Sequence, residues 1–324
     1  MKPIIVTGAR GYIGSALVRR LSKEGRPLRL VSRSATIASA ASNDCVQHIK
    51  ADLRCEADWA ALLQDAGAVI NLSWRTDLRA AEADSIGDYN LNVEPIKVLI
   101  RTARHADIAL PVIFASTATI VGAKHANPVN ELTPDRPCSV YDRHKLECEC
   151  ILKDATDRGI VRACSLRLSN VYGRGVSSIN SNRGVLNAIM HRAGQGESLT
   201  IYGRGEYVRD FAFVDDVVDA FWRALATEQV CNGGSYIIAT GRGHALVEAF
   251  QLVADEAFRC TGRQVEIVHC PEPSDLHPIE RRNFVGDSSL FQKLTGWRAK
   301  TDLLAGIRDY YTHGIADRAP TEAF

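Results

Sequence analysis

A glycine-rich turn near the start of the chain restricts its fold more than any other segment. The apolar run PIIVTG predicts a buried strand, and SALVRRLSKEG has helical spacing with Gly25 as its stop. Between them, TGARGYIG places glycines at Gly8, Gly11 and Gly14. Glycines let a backbone turn tightly and approach a pyrophosphate, while the helix N-terminus supplies N–H donors and positive potential. This order predicts a dinucleotide-binding unit.

The first half of the chain alternates predicted strands with predicted helices. Because strands that alternate with helices form parallel sheets covered on both faces, we expect a doubly wound α/β fold. Ligands then bind beyond the carboxyl ends of the strands. Further predicted strands are LRLVS, VQHIKAD, AVINLS, PVIFAS and RACSLRLS. Predicted helices are EADWAALLQDAG, YNLNVEPIKVLIRTARHA and KLECECILKDATDRG.

Composition argues against several classes of partner. The chain has 324 residues, and its 39 Lys and Arg nearly balance its 38 Asp and Glu, so we expect no nucleic acid. Its apolar runs are too short to span a bilayer, and its first residues lack the pattern of a signal peptide. Nine scattered cysteines fit reduced thiols in the cytoplasm better than a disulfide framework.

The stretch SVYDRHKLECEC offers both a catalytic and a metal interpretation. Tyr141 and Lys145 are four residues apart, which places them on one face of a helix. His144 and Cys148 could also share a face, but Cys150 lies on another side. Because no further cluster of ligands converges in sequence, we expect no metal. A surface helix with a chance Tyr–Lys pair is the simpler alternative to a catalytic pair.

TGARGYIG together with YDRHK resembles the extended short-chain dehydrogenase/reductase family, in the epimerase/dehydratase branch that acts on nucleotide sugars. The resemblance continues through FASTATIVG, RLSNVYGRG, LTIYGRGEYVRDFAFVDDVVDAF and GDSSLFQKLTGWRAK. It implies a Rossmann-type sheet with a smaller C-terminal α/β substrate lobe. We expect the dinucleotide-binding domain at 1–172, joined again by about 207–228, and the substrate-binding lobe at 173–324.

The resemblance also implies residues for each part of the site. Thr117, Tyr141 and Lys145 take the catalytic positions, where the Lys145 ammonium would favour the phenolate of a tyrosine whose ordinary pKa is about 10. Tyr141 and Lys145 also face the cofactor. The other expected cofactor contacts are Gly8, Arg10, Gly11, Tyr12, Ile13, Gly14, Ser32, Arg33, Asp52, Leu53, Leu72, Ser73, Asn92 and Ser116.

The expected substrate is a nucleotide-diphosphate sugar. By the same resemblance, Thr117 and Asn170 face the substrate, and Arg209 is the first candidate for its diphosphate. A salt bridge from Arg209 to a neighbouring aspartate is the alternative. Arg281, next to Arg282 in IERRNF, is the second candidate.

The segment LRLVSRSA bears on the choice of cofactor. Members that use NAD usually end this strand with an acid that binds the ribose 2′-hydroxyl, but here Ser32 and Arg33 hold the place. Serine and arginine can bind a 2′-phosphate, which a carboxylate would repel. We therefore favour NADP, with NAD held by other contacts as the alternative.

The sequence indicates the family more clearly than it indicates which reaction the protein catalyses. Dehydratases of this branch carry an Asp-Glu pair directly after the catalytic threonine, whereas Ala118 and Thr119 follow Thr117 here, so water loss is not expected. Trp74 and Arg75 replace small residues and a histidine, and could shape the sugar pocket or pack against it. We place reduction of a 4-keto sugar nucleotide slightly ahead of 4-epimerisation. A dinucleotide-binding protein without turnover is a remote alternative.

The resemblance predicts a homodimer. In relatives, the helix near the Asn92 position and the helix that carries the tyrosine pair with their copies as a four-helix bundle. The apolar segment NVEPIKVLIRTA can supply one such face, although it could equally cover the sheet. Light scattering should therefore give a mass near twice 35.5 kDa at micromolar concentration, and a mass near 35.5 kDa would contradict the prediction.

Overall fold

The computed structural model describes residues 1–33, 45–107, 109–175 and 184–313. Short strands and amphipathic helices alternate along these ranges, as the sequence predicts. The strands are β1 (Ile4–Thr7), β2 (Leu28–Ser32), β3 (Val46–Lys50), β4 (Ala68–Asn71), β5 (Pro111–Thr117), β6 (Arg162–Leu168), β7 (Asn170–Tyr172), β8 (Leu199–Tyr202), β9 (Val208–Phe213), β10 (Ser235–Ile238), β11 (Gly243–Ala245) and β12 (Ile267–Cys270).

Seven of these strands form one parallel sheet in the order β10-β6-β5-β4-β1-β2-β3. Strand β1 lies between β2 and β4, with Ile4 opposite Leu28 on one side and Ala68 on the other. The strand order reverses at this point, which is where doubly wound folds bind ligands. The predicted Rossmann-type parallel sheet is confirmed.

Helices cover both faces of the sheet because successive strand residues point to opposite sides. Val6 packs with Leu17 of the first helix on one face, and Ile5 packs with Trp59 on the other. No helix in the described ranges is long and apolar enough to cross a membrane. The α-helices are α1 (Tyr12–Lys23), α2 (Glu56–Leu63), α3 (Leu78–Ala83), α4 (Ser85–Asn92), α5 (Glu94–His105), α6 (Val140–Asp157), α7 (Val185–Gly194), α8 (Val214–Ala226), α9 (Leu246–Thr261), α10 (Ser289–Thr295) and α11 (Leu303–His313).

Two predicted elements differ from the structure. The helix predicted through YNLNVEPIKVLIRTARHA divides at Val93 into α4 and α5, because Pro95 has no N–H and occupies the first turn of the new helix. Strand β10 lies within 173–324, the range that we expected to form the substrate-binding lobe, but it is the edge strand of the central sheet, where Ser235 pairs with Ser165. Its apolar run is buried against the sheet's helices.

The smaller lobe contains β8 paired with β12, and a core formed by α7, α9 and α11. The sequence did not predict β7 or β11, which flank β9 in a three-stranded sheet. Helix α8 returns to the main sheet and packs beside α1. The chain therefore passes between the two parts more than once, and residues from both line the cavity described below.

Candidate active site

A cavity of about 670 Å³ opens at the carboxyl ends of β1, β4, β5 and β6. This volume lies within the usual range for sites that bind small molecules or cofactors. The glycine turn lines one part of it, and the first turn of α6 lines another. Arg209 and Arg282 line the side contributed by later segments of the chain. The cavity therefore joins most of the segments that the sequence selected.

The glycine turn brings the α1 backbone very close to β1. Gly8 has a φ of 68°, and a Cβ there would lie 2.7 Å from the carbonyl carbon of Leu72. A Cβ on Gly14 would lie 2.1 Å from the Gly8 oxygen. Gly11 caps α1 without a side-chain hydrogen bond, and no acid occupies the first turn. The first N–H groups of the helix are therefore suited to an anionic group.

Thr117, Tyr141 and Lys145 all line this cavity. Thr117 ends β5, while Tyr141 lies in the first turn of α6 and Lys145 follows one turn later. The Lys145 side chain is buried, and its Nζ donates a hydrogen bond to the Ala115 oxygen at 2.5 Å. The structure therefore places the expected hydroxyl, phenol and ammonium around one space.

Trp74 has a clear position in the site, although the sequence did not decide between two roles for it. Its ring lies 3.7 Å from the Lys145 Nζ and makes edge contacts with Tyr141 and Phe114, at centroid distances of 6.0 and 5.8 Å. An aromatic face this close to an ammonium is an attractive cation–π contact. Trp74 thus both lines the cavity and holds the lysine in place.

Arg75, next to Trp74, stabilises the segment that carries the tryptophan. Arg75 faces Asp88, at 3.3 Å, and its N–H donates to the Asn92 Oδ1 at 2.8 Å. Asn92 returns a hydrogen bond from Nδ2 to the Arg75 oxygen. Asn92 was expected among the cofactor contacts, but in the structure it holds the segment after β4 and does not line the cavity.

A chain of hydroxyls connects Thr117 with a buried carboxyl group. The Oγ1 atoms of Thr117 and Thr119 lie 2.7 Å apart, and Thr119 donates a hydrogen bond to the Asp142 Oδ1. Ser139, which caps α6, donates to the Asp142 Oδ2 at 2.7 Å. Burial raises the pKa of Asp142, while these hydrogen bonds and the charge of Arg282 oppose the rise. The sequence prediction did not include Thr119 or Asp142 in the site.

Two buried guanidinium groups face the cavity. Arg209 donates to main-chain oxygens of Glu280 and Arg282, and Arg282 donates to the Asn170 Oδ1 at 3.2 Å. Burial and the charge of Arg282 lower the pKa of Arg209 to about 9. Two close cations that are bonded mainly to neutral oxygens form a good environment for an anion.

The sequence offered a salt bridge as the alternative for Arg209 and named Arg281 as a second candidate for the diphosphate. Asp210 accepts hydrogen bonds from Thr240 and Gly241, and Asp215 pairs with Arg174, so the structure does not contain the alternative salt bridges of Arg209. Arg281 points elsewhere and pairs with Glu272 at 3.1 Å. Its neighbour Arg282, not Arg281, lines the cavity.

The remaining expected cofactor residues surround the glycine turn and the ends of β2 and β3. Ser32 is half-buried, whereas Arg10 and Arg33 are exposed, and residues 34–44 of the segment after Arg33 lie outside the described ranges. Asp52 faces Arg54 at 2.6 Å, and this guanidinium lowers the pKa of Asp52 to about 2. Leu53 and Ser73 do not line the cavity. The expected cofactor residues that line it are Gly8, Gly11, Tyr12, Ile13, Gly14, Leu72 and Ser116.

Several buried polar atoms of the cavity fit a polar ligand. Trp74 Nε1, Thr76 Oγ1, Ser116 Oγ and Ser169 Oγ find no hydrogen-bond partner among the described residues, and all four residues line the cavity. Buried polar groups are normally paired, because an unpaired one costs free energy. Together with the glycine turn, they fit a ligand with many hydrogen-bonding groups, such as a dinucleotide beside a sugar.

The metal alternative fits the structure poorly. His144 Nδ1 lies 2.8 Å from the Asp88 Oδ2, Cys148 is buried and Cys150 is exposed. Burial raises the pKa of the Cys148 thiol, which disfavours the thiolate that a metal would require. Over the part of the chain that the structure describes, no three potential ligands converge.

The chain resembles known proteins along almost its whole length. Residues 4–239 match the model of the NAD dependent epimerase/dehydratase family. A UDP-glucose 4-epimerase of Mycolicibacterium smegmatis is 27% identical over 94% of this chain and 95% of its own length. A putative UDP-glucose 4-epimerase of Methanocaldococcus jannaschii is 26% identical over 94% of this chain and 96% of its own.

Solved structures show the same similarity. UDP-glucose 4-epimerase from Thermotoga maritima, solved with UDP-glucose, superposes with a TM-score of 0.85 at 25% identity and covers 97% of this chain and 99% of its own. UDP-glucose 4-epimerase from Thermus thermophilus, solved in complex with NAD, gives a TM-score of 0.80 at 25% identity with the same coverage.

Gly14→Ala tests the glycine turn. The added Cβ would meet the Gly8 oxygen at 2.1 Å, so α1 must move away and its N-terminus must leave the cavity. We expect binding of NAD and NADP, measured by calorimetry, to weaken by at least about tenfold, or 1.4 kcal/mol. The matched control is Gly194→Ala in α7, where the nearest atom is a Tyr311 ring carbon at 3.4 Å. Equal binding by the two variants would contradict this description of the turn.

Proposed function

Because residues 4–239 match its model, the chain belongs to the NAD dependent epimerase/dehydratase family, and we propose that it is a UDP-sugar 4-epimerase that uses NAD. The predicted family is therefore confirmed. The comparisons give no support to the reductase that we placed first, whereas the named relatives are 4-epimerases and favour the alternative. The observation that carries the proposal is the convergence of Thr117, Tyr141 and Lys145 on one cavity with the glycine turn.

Tyr141 is the proposed acid and base at the sugar hydroxyl. A bound nicotinamide cofactor would take a hydride from C4 and later return it to the opposite face. The buried ammonium of Lys145, held by Trp74 and the Ala115 oxygen, supplies positive charge near the phenol and favours its ionised form. Thr117 reaches the same space from β5 and positions the sugar oxygen.

Arg209 and Arg282 are the proposed site for the diphosphate of the substrate. Both are buried beside the cavity, and their mutual repulsion is relieved when an anion binds between or beside them. Asn170, already bonded to Arg282, lies next to this position and can donate to a phosphate or sugar oxygen. We do not assign Arg281 to the substrate, because its side chain pairs with Glu272 away from the cavity.

Dehydration is not part of the proposal. An elimination of water needs an acid and a base beside the sugar, and Ala118 and Thr119 hold the two positions after Thr117. Thr119 keeps its hydroxyl proton at neutral pH, so it can neither give up nor take up a proton as the acid or base of an elimination. Ala118 is buried and has no polar atom in its side chain.

We propose NAD as the cofactor, whereas Ser32 and Arg33 led us to favour NADP from the sequence. The relative from Thermus thermophilus was solved in complex with NAD, and an epimerase gains by keeping one cofactor through both hydride transfers. The exposure of Arg33 leaves its guanidinium in water, where a contact to a phosphate contributes little free energy.

The experiment that tests the function follows the cofactor during turnover. Purified protein with UDP-galactose or UDP-glucose and a trace of NAD should interconvert the two sugars, measured by NMR, without a net change in absorbance at the NADH band. A panel of other UDP-sugars defines the sugar. Stoichiometric consumption of NADPH with a 4-keto sugar nucleotide, and no interconversion, would replace the epimerase with the reductase.

Tyr141→Phe removes the proposed acid and base while it keeps the ring against Trp74. We expect kcat to fall by about 10²–10⁴-fold, the range for the loss of a positioned proton donor and acceptor. Affinity for NAD should change little. Nearly unchanged turnover in a folded Tyr141→Phe protein would remove Tyr141 from the mechanism.

Ser32→Asp tests the cofactor assignment. A carboxylate at this position would accept hydrogen bonds from a ribose and repel a 2′-phosphate, so NADP binding should weaken and NAD binding should hold or strengthen. Both cofactors are titrated with the wild type and the variant. A wild type that binds NADP more tightly than NAD would overturn the proposal and restore the sequence prediction.

A further inference from the structure

We propose that segment 72–78, which follows β4, recognises the hexose of the substrate, and that the Trp74 indole N–H and the Thr76 hydroxyl bind the sugar hydroxyls that flank C4. The inference rests on the proposed 4-epimerase function and names the part of the substrate that this segment contacts. Neither residue transfers the O4 proton, which is the role of Tyr141. Trp74 and Thr76 determine specificity.

Segment 72–78 presents every second residue to the cavity. Such alternation is typical of extended backbone, in which successive side chains point to opposite sides. Two of the residues that line the cavity are apolar, two carry a polar atom, and none is charged. They are Leu72, Trp74, Thr76 and Leu78. The segment therefore offers a neutral surface with two hydrogen-bonding groups, which suits an uncharged sugar ring.

The intervening residues fasten the segment to its neighbours. The Arg75 N–H donates to the Asn92 Oδ1 at 2.8 Å, and the Arg75 guanidinium faces the buried carboxylate of Asp88 at 3.3 Å. Asp77 caps α3 by accepting a hydrogen bond from the Ala80 N–H at 3.1 Å. A segment that is held in this way can place two side chains against a ligand with little loss of conformational entropy.

The two polar atoms of this surface are suited to different sugar oxygens. Trp74 Nε1 and Thr76 Oγ1 are buried and have no hydrogen-bond partner among the described residues. An indole N–H only donates, whereas a hydroxyl both donates and accepts. Because an unpaired buried polar atom costs free energy, a ligand that pairs both atoms is favoured. A hexose carries hydroxyls on adjacent carbons and can supply both partners.

The course of segment 72–78 favours the hexose over the cofactor. Its beginning packs on the main chain of Gly8 in the glycine turn. The Trp74 ring then makes an edge contact with the Tyr141 ring, at a centroid distance of 6.0 Å, and the chain continues into α3, which packs beside α6. Trp74 and Thr76 therefore follow the cofactor turn and approach Tyr141. Since Tyr141 acts at O4, the nearest hydroxyls are those on C3 and C6, which flank C4.

Calorimetry on the protein saturated with NADH tests the contact, because the reduced cofactor cannot oxidise the bound sugar. Trp74→Phe removes the N–H and keeps a ring beside Lys145. UDP-galactose should bind about 3–10-fold more weakly, the usual contribution of one neutral hydrogen bond. The affinities for UDP, which lacks the hexose, and for NADH should change less than about twofold. Trp222→Phe in α8, outside the cavity, is the matched control and should leave all three affinities unchanged.

Two substrate analogues identify the hydroxyl that each residue binds. UDP-galactose that lacks the hydroxyl on C3 or on C6 is titrated with each protein. The wild type should lose about 3–10-fold in affinity with each analogue. Trp74→Phe should lose nothing further with one of them, because the contact is already absent. Thr76→Val, which keeps the shape of the side chain, should show the same lack of additivity with the other.

Three results would overturn the assignment. The first is equal affinity of the wild type and Trp74→Phe for UDP-galactose, or additive losses with both analogues. The second is a loss of NADH affinity in its place, which would assign the indole N–H to the cofactor. The third is a shifted pH profile of kcat in Trp74→Phe, which would attribute the change to Lys145.

The proposed function fails by a different measurement. In that case the wild type would bind UDP-galactose without converting it, whereas the binding data would still decide whether Trp74 and Thr76 contact the hexose. If Trp74→Phe does not fold, Thr76→Val carries the same test, and unchanged affinity of Thr76→Val for UDP-galactose would then overturn the proposal.

Discussion

The site depends on the contact between the backbone of α1 and the ends of β1 and β4. With no Cβ at Gly14, α1 packs directly on the main chain of Gly8, and with no Cβ at Gly8, the turn packs directly on the main chain of Leu72 and Ser73. This contact fixes the N-terminus of α1 relative to the end of β4. The segment after β4 carries Trp74, which in turn holds Lys145. The position of the N-terminus of α1 and the position of Lys145 therefore share one origin.

Charge is distributed unequally around the cavity. Arg209 and Arg282 place two buried cations on the side of the later segments, and the helix N-terminus adds positive potential at the glycine turn. A buried carboxyl group of the lining, Asp142, is connected to Thr117 through the Thr119 hydroxyl. Such a distribution favours a ligand with an anionic group at one end and a neutral part beside Thr117 and Tyr141. In the proposed function, binding and chemistry are thus assigned to different residues.

The features that could be predicted from the sequence are those that depend on the order and spacing of nearby residues. The glycine turn, the parallel sheet and the pair of Tyr141 and Lys145 follow from local spacing, and all of these lie where the pattern indicated. The contact of Trp74 with Lys145 and that of Thr119 with Asp142 join distant parts of the sequence, which no local pattern contains. Arg281 and Arg282 are adjacent in sequence, and only the backbone direction after the 3₁₀ helix (Pro278–Arg281) decides which one faces the cavity. The edge strand β10 was misplaced because its apolar run suits either sheet.

The central claim is that one bound cofactor removes and returns the same hydride at C4. The most direct measurement uses UDP-glucose with deuterium at C4 and follows the label by NMR as UDP-galactose forms. The account predicts that the product keeps its deuterium at C4 and that protons from water do not replace it. Loss of the label to solvent, or its release on a free reduced cofactor, would contradict the account.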